Sequence, residues 1–222
     1  MRASKSEALI RATFAIAAIA TLIASTPSAL RAQFHRAEQD REITYWLLDP
    51  ASHQFKISHD LTIDRVGQKY AHSFVRKGSA VDPNAKMFDL DTGKELKTYT
   101  VTGKEVNALG YYPQPSEPDT IVVQGDLDRV PMAGQSVRVR VEETYTDPVG
   151  YTLEKDELVW KRTLGRPLNI VTLPAGWMLA SLDTPAIISA DEQGRIVLRF
   201  TNPRNDELNI TLRARKRPAA KP

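Results

Sequence analysis

The sequence predicts an all-β fold: an antiparallel, Ig-like β-sandwich, as one elongated unit or two small ones, following an N-terminal signal peptide. Three observations point there. Val137, Val139 and Val141 alternate with Arg138, Arg140 and Glu142, the two-residue period of a strand with one buried and one wet face. About a dozen such runs recur at intervals of roughly 8–15 residues, separated by Gly, Pro, Asn and Asp clusters. No stretch after residue 41 shows the 3.6-residue period of an amphipathic helix.

Residues 1–32 read as a secretory signal, with a basic start (Arg2, Lys5, Arg11), an apolar run from Ala12 to Ala24, a break at Pro27, and small residues Ala29 and Ala32 for cleavage. The run falls short of the roughly 20 apolar residues a membrane-spanning helix requires. Periplasmic or secreted residence is the expectation that follows. Residues 33–41 are polar without a clear period and are expected as a flexible lead.

The strands follow in order. Glu42–Leu48 carries Ile43, Tyr45 and Leu47 on one face and Thr44, Trp46 and Leu48 on the other, and Asp49-Pro50 ends it. Phe55, Ile57, His59, Leu61 and Ile63 form the next apolar row. Tyr70–Arg76 resumes the pattern. Lys86–Leu90 and Glu95–Val101 flank the turn Asp91 to Lys94 as a hairpin. The loop from Gly110 to Asp119 holds three prolines, and it is either a long loop or the border between two β units. Thr120–Gln124, Val137–Tyr145, Tyr151–Leu153 with Asp156–Trp160, Leu168–Leu173 and Trp177–Leu182 follow. Ala186–Ala190 and Arg195–Phe200 make a second hairpin, and Glu207–Arg213 closes the fold. The expected division is 42–110 for a first β unit, 111–119 for a linker, 120–214 for a second unit, and 215–222 for a basic tail.

Composition excludes several functions. The chain has no cysteine, which removes a disulfide framework, a thiolate zinc site and a cysteine nucleophile together. Of its 30 Lys+Arg and 27 Asp+Glu, the signal takes Arg2, Lys5, Arg11, Arg31 and Glu7, leaving 26 of each sign. That balance argues against a nucleic-acid partner. Membrane contact is expected only through the export signal or the basic tail.

Candidate chemistry is sparse. Asp91-Thr92-Gly93 has the letters of an aspartic-protease triplet, but no second triplet exists to pair the carboxylate. Asp89-x-Asp91-x-Gly93, with Asp82, sketches a partial calcium loop, yet Gly93 and Thr100 stand where ligands are needed. Asp82, Asp89 and Asp91 are therefore weak metal candidates, and no cofactor is expected. His53, His59 and His72 lack metal spacing, and Ser58 beside His59 points to the opposite face, so the two form no triad. Trp160 and Trp177 read as core aromatics. Tyr111, Tyr112, Tyr145 and Tyr151 lie in or beside loops, where rings serve as a binding platform.

Ile43-Thr44-Tyr45, Asp49-Pro50 and His53-x-Phe55-x-Ile57 together resemble the opening strands of the amino-terminal β-sandwich of glycyl aminopeptidases. The His-Glu-x-x-His zinc helix of that family's catalytic part is absent from the sequence. The resemblance implies the non-catalytic module alone, and no catalytic residue is carried over. The leading expectation is an exported, non-catalytic β-sandwich that presents loops to a protein or glycan partner in the cell envelope. The alternatives are a carboxylate- or metal-dependent hydrolase, and a structural subunit of an envelope assembly that pairs through a strand edge.

Overall fold

The computed structural model describes residues 42–204 and 206–218, so the expected signal peptide at 1–32, the expected lead at 33–41 and the last four residues of the expected basic tail lie outside the described residues. The strands are β1 (Glu42–Leu47), β2 (Gln54–Ile63), β3 (Tyr70–Phe74), β4 (Ala80–Val81), β5 (Lys86–Asp89), β6 (Glu95–Leu96), β7 (Thr98–Thr102) and β8 (Ile121–Asp126). They continue as β9 (Val137–Thr146), β10 (Tyr151–Glu154), β11 (Glu157–Leu164), β12 (Leu168–Thr172), β13 (Trp177–Leu182), β14 (Ile187–Ala190), β15 (Ile196–Thr201) and β16 (Leu208–Lys216). A short helix, α1 (Gly103–Ala108), stands between β7 and β8.

These strands make three sheets. The largest runs β14-β15-β12-β1-β2-β9-β5-β6, with β4 also paired to β9. A four-stranded sheet runs β10-β11-β16-β13 and a three-stranded one β3-β8-β7. Pairing is antiparallel except between β1 and β12, which are parallel. The two smaller sheets pack on one face of the large one. Tyr45 meets Trp160 edge-on at 5.2 Å, and Phe55 meets Trp160 at 5.9 Å and Tyr151 at 6.3 Å. From the three-stranded sheet, Ser73 reaches His59 of β2.

Strand β9 sits where its alternation demands, inside the large sheet, with β2 along one side and β5 and β4 along the other. Its partners precede residues 111–119 in the chain, while β9 follows them. The expected border at 111–119 is thus no border in space, and one buried cluster draws side chains from Tyr45 to Ala214. Both expected hairpins form, with Met87 opposite Leu96 and Ile188 opposite Leu198, and Gly194 takes the left-handed backbone (φ 71°) that the second turn requires.

Three local readings change. Residues 80–81, outside every expected strand, form β4. Helix α1 occupies a stretch read as irregular; its signal is Thr102-x-x-Glu105, in which Thr102 accepts from the Glu105 N–H at 3.4 Å and the Glu105 carboxylate accepts from the Thr102 N–H at 2.7 Å. The basic end is not a free tail up to Lys216, because β16 carries it. Arg213 and Arg215 pair with Glu157 at 3.3 and 2.5 Å, and Lys216 lies over the Trp177 ring.

Candidate functional site

The loop from Gly110 to Asp119 folds over the outer face of the three-stranded sheet and makes the most organised polar site among the described residues. The register explains which side chains meet there. His72 of β3 stands opposite Gln124 of β8, and Gln124 stands opposite Tyr99 of β7, so the three project from one face. Tyr70 and Phe74 share that face by the two-residue period.

A directed hydrogen-bond chain crosses the face. The Tyr112 hydroxyl lies 3.0 Å from His72 Nδ1, and His72 Nε2 lies 2.9 Å from Gln124 Oε1. Gln124 Nε2 donates to the Tyr99 hydroxyl at 2.7 Å, and Tyr99 donates to Asp126 Oδ1 at 2.9 Å. With the His72 ring neutral, only one assignment satisfies every link. Asp126 is an acceptor, so Tyr99 donates to it and accepts from the Gln124 amide; Gln124 Oε1 then accepts from His72 Nε2–H, and Nδ1 accepts from Tyr112. Burial holds the His72 imidazole below its ordinary pKa, against an upward pull from the Gln124 bond. A neutral ring with its proton on Nε2 is what the chain needs. Burial also pushes the Tyr112 phenol up to about 12.

The rings give the site its surface. Tyr112 meets Phe74 edge-on at 5.2 Å, and the two stay 37% and 38% exposed. Tyr111 is half-buried; its carbonyl accepts from Arg65 Nη1 at 2.8 Å and its hydroxyl accepts from the Lys69 N–H at 3.2 Å. Helix α1 fixes the far end of the loop. Asn107 exchanges hydrogen bonds with the Ser116 backbone at 2.8 and 3.0 Å, and the Gly103 and Lys104 N–H groups bond the Thr120 and Pro118 carbonyls at 2.7 and 3.0 Å. A Cβ on Gly103 would stand 2.1 Å from the Glu117 carbonyl oxygen, so only glycine lets the loop approach so closely.

Of the four tyrosines expected at a platform, the structure places Tyr111 and Tyr112 together and removes the other two. Tyr145 is buried because it follows Val137, Val139 and Val141 on the inward face of β9. Tyr151 is fully buried, and its hydroxyl donates to the Leu48 carbonyl at 2.5 Å. Burial pushes both phenols up. Both are core residues. His72, Gln124 and Tyr99 were not singled out as parts of this surface, since nothing in their spacing joins three strands and a loop.

The carboxylate candidates are occupied. Asp89 Oδ1 accepts from the Asp91 and Thr92 N–H groups at 2.8 and 3.1 Å, and its Oδ2 pairs with Arg129 Nε at 3.3 Å. Asp91 pairs with the same guanidinium. Asp82 closes its own turn by accepting from the Asn84 N–H at 2.7 Å. Arg129 is the counter-ion that the hairpin letters concealed, and no group of metal-ligating side chains converges among the described residues. Of the other histidines, His53 bonds the Tyr151 carbonyl through Nδ1 at 2.7 Å. His59 is buried between Ser73 at 3.4 Å and Glu143 at 3.9 Å, both on Nε2. A Ser-His-acid relay needs the acid and the hydroxyl on opposite ring nitrogens. This trio also lacks access to solvent, and its polar atoms sit in the core.

No family model matches the chain, and no curated protein matches it. Among solved structures, an M1 zinc metallopeptidase from Deinococcus radiodurans is similar over 79% of this chain and 41% of its own, at 15% identity and a TM-score of 0.45. An aminopeptidase N family protein from Idiomarina loihiensis is similar over 78% of this chain and 29% of its own, at 11% identity and a TM-score of 0.43. The chain spans less than half the length of either. The likeness to aminopeptidase chains is thus partial, and at this level it carries no information on activity.

Proposed function

We propose that the chain is an exported, non-catalytic β-sandwich module that binds a partner protein in the cell envelope through the face built by Tyr112 and Phe74. One observation carries this reading: two rings, each more than a third exposed, are held in contact by a loop anchored at both ends. Loops usually lose entropy when they bind. This one is fixed beforehand by the His72 chain and by Asn107, which favours a preformed recognition surface. Exposed aromatic area favours a protein over a glycan at this face. Export is supported by the pattern of residues 1–32.

The test compares capture from an envelope extract by the tagged chain and by Tyr112→Ala and Phe74→Ala variants, with the melting temperature recorded for each. Loss of a discrete captured protein in both variants, with the fold intact, supports the proposal. Equal capture by all three, or capture of glycan alone, contradicts it. N-terminal sequencing of the exported chain tests the signal separately, with cleavage expected after Ala29 or Ala32.

A second reading has its own observation. Strand β14 is an edge of the large sheet, and its Ile187 and Ile188 are 66% and 54% exposed, with no charge between Ala186 and Ala190. Such an edge favours strand-to-strand assembly. Sedimentation across a dilution series, with Ile188→Lys as control, decides that reading: association abolished by the lysine supports it, and a monomer throughout excludes it.

A further inference from the structure

The outer face of the large sheet, away from the core, holds a second surface. Two adjoining grooves of about 620 and 420 Å³ cross β1, β2 and β9 and share Trp46 and Ser58. The outward rows explain the floor. Trp46 stands opposite Lys56, which stands opposite Thr144; in the next row Thr44, Ser58, Glu142 and Lys86 follow one another across four strands. The Asp82–Asn84 turn and Arg195 of the β14–β15 hairpin wall the larger groove.

A solvated face of an antiparallel sheet is ordinarily polar throughout. Here an indole stands in it. Trp160 and Trp177 are buried and packed, whereas Trp46 is half-buried, lines both grooves, and makes no ring contact among the described residues. The charges around it nearly cancel. The larger groove sets Lys56, Lys86 and Arg195 against Asp82 and Glu142, the Glu143 carboxylate pointing into the core, and the smaller sets Arg138 and Arg140 against Glu42 and Asp60. Several are tied to one another or to carboxylates outside: Arg140 to Asp60 at 2.8 Å, Lys86 to Glu95 at 3.0 Å and Arg195 to Asp191 at 2.7 Å. An ionic ligand would meet nearly as much repulsion as attraction.

We infer that this trough binds a neutral oligosaccharide, with Trp46 stacking on the apolar face of one sugar ring and Ser58, Thr144 and Glu142 bonding its hydroxyls. The chemistry matches on three counts: a flat apolar ring face for the indole, hydroxyls for donors and acceptors of both kinds, and no charge for a balanced groove. Four strands at about 4.8 Å spacing give a floor roughly 14 Å across, the reach of a trisaccharide. The site is separate from the Tyr112 face and does not depend on it.

The probes are cellotriose, maltotriose and triacetylchitotriose, titrated into the exported chain up to about 10 mM, the weak end of the useful affinity range. Fluorescence is followed because Trp46 is the accessible tryptophan of the described fold. At least one trisaccharide should give a saturable change. Trp46→Ala should weaken binding by at least tenfold, Trp46→Phe by less, and Glu142→Gln should weaken it without moving the melt. Tyr112→Ala should leave it unchanged. Binding by none of the three, binding that survives Trp46→Ala, or binding only of a charged sugar such as trigalacturonate would overturn the inference. Calorimetry of Glu142→Gln keeps the test decisive if Trp46→Ala fails to fold.

Discussion

Replacing Tyr112 by phenylalanine removes one oxygen atom and leaves the ring. The O–H bond to His72 Nδ1 at 3.0 Å is lost, while the edge-on contact with Phe74 at 5.2 Å remains. A net hydrogen bond contributes about 0.5–1.5 kcal/mol. For a unit of this size about 1 kcal/mol moves the melt by roughly 2–4 °C, so Tyr112→Phe should lower it by about 1–6 °C. Tyr112→Ala also removes the ring pair, worth about 0.5–1.5 kcal/mol beyond area, and should cost more. Thermal melts by circular dichroism measure both. A double-mutant cycle of Tyr112→Ala with Phe74→Ala should give a coupling of about 0.5–1.5 kcal/mol, and the ¹⁵N shifts of His72 should report the proton on Nε2. A neutral Tyr112→Phe, or a proton on Nδ1, would refute the directed chain.

Three further outcomes are expected. Because burial lowers the folded pKa of His72 from 6.5, the unfolded chain takes up the proton first. The stability this group supplies is complete above about pH 6.5 and is lost as pH falls through the lowered value, so the melt should drop on acidification by more in the wild type than in His72→Gln, and equal slopes would contradict this. Arg162 is buried against Asp147 at 3.2 Å and over the rings of Tyr45, Phe55 and Tyr145. Arg162→Ala should cost about 3–5 kcal/mol in denaturant unfolding, since it strands a buried carboxylate, and a loss under 1 kcal/mol would refute that. Gly103→Ala forces the loop off the Glu117 carbonyl, so it should reduce capture at the Tyr112 face as Tyr112→Ala does, and full capture would show that the loop is not anchored there.

The strands were legible because burial writes a period of two into the sequence, and β1, β2 and β9 bury the faces that their alternation indicates. The same parity places Glu143 inward after Val141, although a carboxylate there breaks the apolar row; neither of its oxygens has a hydrogen-bond partner. Tyr145 follows by that rule as well, and adjacency to a turn was a poorer guide than parity. Helix α1 is too short for a period of its own, and only its capping box marks it. The Tyr112 site stayed hidden for another reason. Its members, Tyr112, His72, Gln124, Tyr99 and Asp126, come from a loop and three strands whose register only the fold supplies. Arg129, 38 residues beyond Asp91, was equally out of reach of local spacing.

The most direct test of the proposed recognition face is site-specific crosslinking in cells. A benzoylphenylalanine at position 112 keeps an aromatic ring at the exposed edge beside Phe74, and the same residue at the exposed Leu153 of the four-stranded sheet serves as control. A discrete crosslinked envelope protein from position 112, absent from position 153, is the predicted result. No adduct from position 112, or the same adducts from both, would contradict the assignment of the Tyr112 and Phe74 face.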